Sequence, residues 1–421
     1  MVRLEDNKFY TEAKPLEALP LPAKVYIPLS QHLGKPCLSL VKAGDSVSLG
    51  QKIGSVEAHV YSPVHASVSG RVKAIVDWPH PVLGRAKAVV IEADDSCGPQ
   101  KMDYLPREDV GELTAENIRN IVFDSGIVGM GGASFPAHIK LNPPKQVEVL
   151  IINGAECEPY LTADYRLMLE KTQEIIKGIE LVVKCLGIKK VFIAIEDNKP
   201  EAIKAFRCFN YNICVLSSAY PQGGEKQLIK SVLNKEVPRG KLPFDLGVVV
   251  HNVATVFAIY QSVYLNKPLF ERVVTVTGSI LEKPKNLLVR IGTPIKELIA
   301  FCSPLKEEPA KIINGGPMMG IAQYSTDAPV IKSTNGILLL GKKEAAPLPE
   351  EYCIRCGACV RECPAGLLPC MINLASERSI WQEAISYGAL DCIECGVCSY
   401  VCPANRRLVQ SIKRAKLEAV R

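Results

Sequence analysis

Hydrophobic and polar positions change their period three times along the chain. Between about Pro36 and Ala93, Val and Ile alternate with polar residues in short runs broken by Gly44, Gly50, Gly54 and Gly70, which predicts a small all-β unit. From about Thr114 to Leu265 strand-like and helix-like stretches alternate. VEVLIING (147–154) and KKVFIAIED (189–197) read as strands, and Asp164 to Cys185 and Lys199 to Phe209 as helices. Such alternation predicts a mainly parallel sheet with helices on its faces. After Lys267-Pro268 the β pattern returns in ERVVTVTGSI, with one helix near Thr293 to Phe301, so a small α+β unit runs from Glu271 to about Leu340. The longest apolar stretch, Phe244 to Leu265, carries Asp245, His251, Asn252 and Gln261. It reads as a buried strand, a loop at His251-Asn252 and a core-packed helix, not as a membrane span.

Composition narrows the class. At 48% hydrophobic and 22% charged residues the chain forms cores, which excludes disorder and fibrous repeats. A net charge of +6 over 421 residues is too small for a general nucleic-acid binder. From Ala404 to Arg421, however, six basic residues stand against one acid, so this end reads equally as a solvated helix face or as a surface for an acidic ferredoxin, a membrane partner or anionic lipid. The first fifteen residues hold three acids and no apolar stretch, so export is not expected. The 16 cysteines then call for metal rather than disulfides, since nine lie between Cys353 and Cys402.

Those nine follow a linker rich in proline and charge, KKEAAPLPEEY, and contain a repeat. CIRCGACVRECP from Cys353 and CIECGVCSYVCP from Cys392 agree at seven of twelve positions, 39 residues apart. Each is C-x2-C-x2-C-x3-C-P, the run of two-cluster bacterial ferredoxins, in which three thiolates hold one cubane and the fourth reaches the other. The first [4Fe-4S] cluster is therefore assigned Cys353, Cys356, Cys359 and Cys402, and the second Cys392, Cys395, Cys398 and Cys363. Zinc sites lack the x2-C-x3-C-P continuation. Cys370 falls outside the spacing and reads as a core residue. Pro364 and Pro403 are expected in the first turn of a helix after the fourth Cys, and Ser379, Gln382 and Gly388 as N-cap, capping-box residue and stop of an added helix.

A second signal is SGIVGMGGASFPAHIKL (125–141), where Gly126, Gly129, Gly131 and Gly132 form a loop ahead of a predicted helix. Free backbone N–H groups and a helix N-terminus there suit an anion, although a tight turn explains the glycines equally well. The loop is neither the dinucleotide G-x-G-x-x-G nor the P-loop pattern.

Two resemblances extend this reading. VKAGDSVSLGQKIGSV followed by SPVHASVSGRVKAI resembles the lipoyl/biotinyl-like barrel-sandwich fold, without the lysine that carrier domains modify. More specifically, GIVGMGGASFPAHIKL, LIINGAECEPYLTADYRLM (150–168), YPQGGEKQL (220–228) and both cysteine runs, in this order, resemble the RnfC subunit of the Rnf electron-transport complex. The middle of the chain is similar to the flavin- and NADH-binding subunit of respiratory complex I, and the following β unit to its SLBB, β-grasp-like module. The implied layout is multidomain α/β and α+β: a barrel-sandwich hybrid (1–100), an FMN/NADH-binding α/β domain (105–268), an SLBB-like domain (269–342) and a two-cluster ferredoxin-like domain (346–421).

The resemblance implies an FMN site made by Gly129, Gly131 and Gly132, with Lys140 at the phosphate and Asn153, Glu156, Tyr220, Gly223, Asn252 and Thr255 completing the pocket. Phe135, Glu158 and Glu225 match positions that contact NADH, and a carboxylate at a ribose hydroxyl disfavours NADPH. Met130 stands where the complex I loop has arginine, His251 where it has asparagine, and Gly224 replaces one of a pair of glutamates. The Gly-Gly-x-His-Pro opening common in RnfC is absent from the first residues. The function implied is an NADH-linked electron-transfer subunit at the cytoplasmic face of the membrane, peripheral, with ferredoxin-linked and membrane partner subunits. A soluble flavin/iron-sulfur reductase, for instance one serving cobalamin, and a flavin-free iron-sulfur relay are the alternatives.

Overall fold

A computed structural model describes residues 1–102, 104–346 and 348–419. The region of alternating strands and helices forms a four-stranded, wholly parallel sheet in the order Asn212–Leu216, Lys190–Glu196, Val149–Gly154, Val248–Asn252. Its strands are apolar on both faces, as burial under helices requires. Thr172–Leu186, Val253–Leu265 and Ala115–Asp124 cover one face through Ile175, Ile179, Val182, Val256, Ile259 and Ile118. Successive strands step outward from Val149–Gly154 and then the chain returns to its other side, so the order reverses beside that strand. In open parallel sheets the crevice at the carboxyl ends of strands flanking such a reversal is where ligands bind.

Two expectations shift here. The helix expected over Asp164 to Cys185 is two helices, Ala163–Glu170 and Thr172–Leu186, broken at Lys171 (φ −131°) with neither Gly nor Pro to announce it. His251 and Asn252 do not form a loop; they end the strand, opposite Ile152 and Asn153. Asn252 terminates it because its side-chain oxygen accepts from the N–H groups of Ala254 (2.9 Å) and Thr255 (3.4 Å), capping the next helix.

Lys24–Pro28, Gly84–Ala93, Gly70–His80 and Ser46–Val47 make one small sheet and Leu38–Ser39, Lys52–Ser55 and Val64–His65 another. They enclose Val25, Ile27, Ile53, Val68, Val89 and Ile91, the barrel-sandwich hybrid. The β-grasp-like unit is a six-stranded mixed sheet under the helix Ile295–Phe301. Its edge strand is Leu16–Ala18, which pairs in parallel with Lys285–Arg290, so the N-terminal segment leaves its own neighbourhood to complete a distant sheet.

The cysteine-rich region is helical: Ala358–Arg361, Pro369–Glu377, Trp381–Ser386, Val397–Tyr400 and Leu408–Glu418. Pro364 and Pro403 sit in turns, and the following helices start at Pro369 and Leu408, a few residues later than expected. Ser379 is not an N-cap. It adopts a left-handed φ of 57° after the Pro369–Glu377 helix, while Ile380 precedes the Trp381–Ser386 helix without a side-chain cap. Gly388, with φ 88°, does stop that helix.

Candidate functional site

Three stretches far apart in sequence meet at the carboxyl ends of Val149–Gly154 and Val248–Asn252. The N–H of Met130 in the glycine loop donates to the Thr255 hydroxyl (2.9 Å), and a Cβ on Gly131 would stand 3.3 Å from Cβ of Asn252, a tight approach that a side chain would crowd. Gly129 N–H donates to the Phe135 carbonyl (2.8 Å), which folds the loop back as a narrow hairpin with Gly131 and Gly132 exposed at its tip. Asn153 donates to the Gly223 carbonyl (2.9 Å) and accepts from Ala155 N–H (3.0 Å), tying the 220–224 loop to the same edge. Gly223 leaves no room for a side chain, since a Cβ would stand 2.7 Å from the Ala155 carbonyl oxygen.

Polar groups below this edge are buried and paired. Glu156 accepts from the N–H groups of Asp164 (3.0 Å) and Tyr165 (3.2 Å), capping the Ala163–Glu170 helix, and Asn252 donates to the Asp164 carboxylate (2.6 Å). Burial, followed by the Glu156 charge, pushes the Asp164 carboxyl up to about 7. Lys140 bridges Glu225 (2.6 Å) and the Val250 carbonyl (3.1 Å), so the expected phosphate ligand and one expected NADH acid are in contact. Phe135, half-buried, stands at the base of the glycine hairpin.

Two buried polar atoms at this edge lack a partner among the described residues: Nε2 of His251 and Oε1 of Gln222. Burial, then the Lys140 ammonium, holds His251 down to about 3, so its ring is neutral. Unpaired buried polar atoms beside a glycine hairpin, a lysine and a strand-end crevice fit a bound flavin with a phosphate tail.

Tyr220 and Glu158 point elsewhere. The Tyr220 hydroxyl donates to the carbonyl of Cys395 (2.8 Å), and Glu158 accepts from the N–H groups of Met318 (2.7 Å) and Met319 (3.0 Å) in the β-grasp-like unit. Sequence reasoning passed over Lys8, which is buried and donates to the carbonyls of Glu158 (2.9 Å) and Leu161 (2.6 Å); nothing local marks a lysine in an N-terminal segment for that role.

Cys363, Cys392, Cys395 and Cys398 line one cavity. The Cys363 sulfur lies near enough to the other three to act on each electrostatically. Four convergent thiols fit a cubane cluster. Of the other set, Cys359 is buried beside Cys402 and Cys370, while Cys353 and Cys356 are exposed. The basic C-terminal end is occupied within the chain. Arg406 pairs with Glu350 (3.3 Å) and Glu377, Lys413 (3.5 Å) and Lys416 (2.7 Å) with Glu394, and Arg414 lies 5.4 Å over the Trp381 ring. Arg421 lies outside the described residues.

Comparison with known families matches this layout. Residues 2–96 match the RnfC barrel sandwich hybrid domain, 122–261 the Nuo51 FMN-binding domain, 273–322 the SLBB domain and 348–403 the 4Fe-4S dicluster domain. Fold and site together define a flavin- and iron-sulfur-containing electron-transfer protein, with FMN and two [4Fe-4S] clusters as its cofactors. The chain is 48% identical to the C component of the proton-translocating ferredoxin:NAD(+) oxidoreductase complex of Clostridium ljungdahlii, over 99% of this chain and 93% of that one. It is 45% identical to the Na(+)-translocating counterpart of Acetobacterium woodii (98% and 95%), and 44% identical to the C component of the ion-translocating oxidoreductase complex of Rhodobacter capsulatus (98% and 81%). The chain belongs to this RnfC family. A chain of the NAD+-reducing [NiFe]-hydrogenase in the H2-reduced state shares the fold, with a TM-score of 0.51 at 17% identity, covering 75% of this chain and 65% of that one.

Proposed function

We propose that the chain is the subunit of an ion-translocating ferredoxin:NAD oxidoreductase complex that passes electrons between NADH, FMN and two [4Fe-4S] clusters. The observation that carries this reading is the contact between the two halves of the site: a loop bound to the switch-point edge ends in Tyr220, whose hydroxyl meets Cys395. When bound there, FMN exchanges two electrons at once with NADH and one at a time with iron-sulfur clusters, chemistry that belongs to the cofactor. The chain's own residues bind, align and insulate. Lys140 supplies the cation for a phosphate at the price of its contact with Glu225, whose carboxylate is then free for a ribose hydroxyl. The hairpin at Gly129, Gly131 and Gly132 and the residues Asn153, Glu156, Gly223, Asn252 and Thr255 shape the pocket, and Phe135 offers a ring beside it.

The second cysteine set lies against the flavin-binding domain and takes the inner place in the electron path; Cys353 and Cys356, exposed, put the first set at the outer one. No helix among the described residues is long and apolar enough to cross a membrane. The place of the chain's relatives in ion-translocating complexes supports a subunit that meets the membrane through partner subunits, at the cytoplasmic face where NADH is available. Anaerobic purification with quantification of flavin and iron, followed by NADH titration, tests the reading. One flavin and about eight iron per chain, with bleaching of the flavin band by NADH, are expected. Eight iron with neither flavin nor NADH response would leave a relay subunit.

A further inference from the structure

Four segments distant in sequence converge on Cys395. Tyr220 is 1% exposed and packs with Cys395 and Val397 in an apolar cluster closed by Val2, Cys157 and Met318. Its backbone is held by Val2 in both directions, N–H to carbonyl at 3.0 and 2.8 Å. Its hydroxyl donates to the Cys395 carbonyl at 2.8 Å, with the Glu158 carboxylate as a second hydrogen-bonding neighbour. Glu158 lies beside that hydroxyl, with Oε1 taking the N–H groups of both Met318 and Met319. The Met318 carbonyl oxygen in turn stands 2.9 Å from where a Cβ on Gly396 would be, so this loop closes directly over the residue after Cys395.

We propose that Tyr220 and Glu158 act as positioning residues for the cluster held by Cys363, Cys392, Cys395 and Cys398, rather than as the FMN and NADH contacts, respectively, that the resemblance implies. The proposal rests on the reading above, that these thiols hold a cluster next to a flavin site. Tyr220 has no further proton to offer a ligand, and Glu158 is committed to the loop that covers Gly396. A hydroxyl aimed at the carbonyl of a ligating cysteine places its positive end toward the cluster and stabilises the added electron, whereas the Glu158 carboxylate, which burial pushes toward the neutral form and the Met319 and Met318 N–H groups and Lys8 pull back, opposes it when ionised. Hydrogen bonds, net charge and burial of this kind set cluster potentials.

The test is an EPR-monitored redox titration of the purified holoprotein with chemical mediators, so that cluster readings do not depend on NADH. Cys395→Ser and Cys356→Ser identify which signal belongs to which cluster. In Tyr220→Phe the signal altered by Cys395→Ser is expected to move to a more negative midpoint, by roughly two- to tenfold in its reduction equilibrium, the scale of one hydrogen bond. In Glu158→Gln the same signal moves the opposite way. The other cluster stays in place, and NADH affinity, read from flavin absorbance, is unchanged. Two unshifted clusters, or a loss of NADH affinity in either variant, would overturn the proposal. Iron near eight per chain in each variant confirms that the protein is folded and loaded. Flavin content is measured separately, so a protein without FMN would sink the flavin reading while leaving the cluster assignment open to the same titration.

Discussion

The two cysteine runs differ at five of twelve positions and live in different surroundings. In the first, the stretch from Tyr352 to Cys356 is exposed, with Arg361 donating to the Cys356 carbonyl (2.9 Å), and among the described residues only the far end of the run is hydrogen-bonded or ion-paired from outside, by Gln227 at the Pro364 carbonyl (3.4 Å) and the Met1 ammonium at Glu362 (3.8 Å). In the second, Cys395 to Cys398 are buried, and the run is gripped by Tyr220, Met318 and the N-terminal segment. Nearly equal motifs make nearly equal clusters only in isolation. What surrounds each one decides whether it is a node inside the molecule or a terminal at its surface.

Removing one ligand from each run gives the largest expected contrast. Cys395→Ala is expected to lose its cluster and to loosen the junction of four segments, lowering stability by about 3 kcal/mol or more. Cys356→Ala also loses iron but leaves that junction intact, so its melting temperature falls much less. Calorimetry with iron quantification reads both. Chelator treatment of the unmutated protein sharpens the contrast: iron should leave in two phases, the fast one belonging to the exposed Cys353–Cys356 side, followed by its EPR signal. A single phase, or equal melting temperatures, would break the distinction between buried and exposed clusters.

Glycine at the fifth position of each run offers a finer comparison. Gly357 and Gly396 both adopt positive φ, 73° and 78°, so alanine at either is strained. A Cβ at Gly357 meets only the movable end of Arg361 (3.2 Å), whereas at Gly396 it meets the backbone oxygen of Met318 at 2.9 Å. Gly357→Ala is expected to cost roughly 1 kcal/mol and Gly396→Ala roughly 2–3 kcal/mol, measured as denaturant midpoints.

This asymmetry was hidden in the sequence, although much else was legible there. The cysteine runs and the glycine hairpin are matters of spacing within short windows, and four of the eight expected ligands, Cys363, Cys392, Cys395 and Cys398, line one cavity. Residues whose surroundings arrive from afar were not readable. Tyr220 meets Cys395 across 175 positions, and Glu158 meets Met318 across 160. Leu16–Ala18 is too short to show a period, yet it extends a sheet whose other strands lie beyond residue 270. The break at Lys171 is likewise announced by no glycine or proline at that position. The partners of the basic C-terminal residues were hidden for the same reason, because Glu350, Glu377 and Glu394, which pair with Arg406, Lys413 and Lys416, come from other segments.

The smallest effect is expected from the basic residue at each run, and it isolates burial from sequence most cleanly. Each run has one cation donating to a ligand's carbonyl: Lys416 to Cys392 (2.9 Å) and Arg361 to Cys356 (2.9 Å). Lys416 is 25% exposed and also holds Glu394, whose carboxyl burial would raise but which Lys416 and then Lys413 keep below its usual range. Arg361 is exposed, where water and salt screen its charge. Lys416→Met is expected to make the second cluster's midpoint more negative by a few tens of millivolts, where about 59 mV is tenfold for one electron. Arg361→Met should move the first cluster by much less, and by nothing measurable at high salt. Equal shifts would mean that the fields at the two clusters are alike, and that the difference between them lies in access and packing alone.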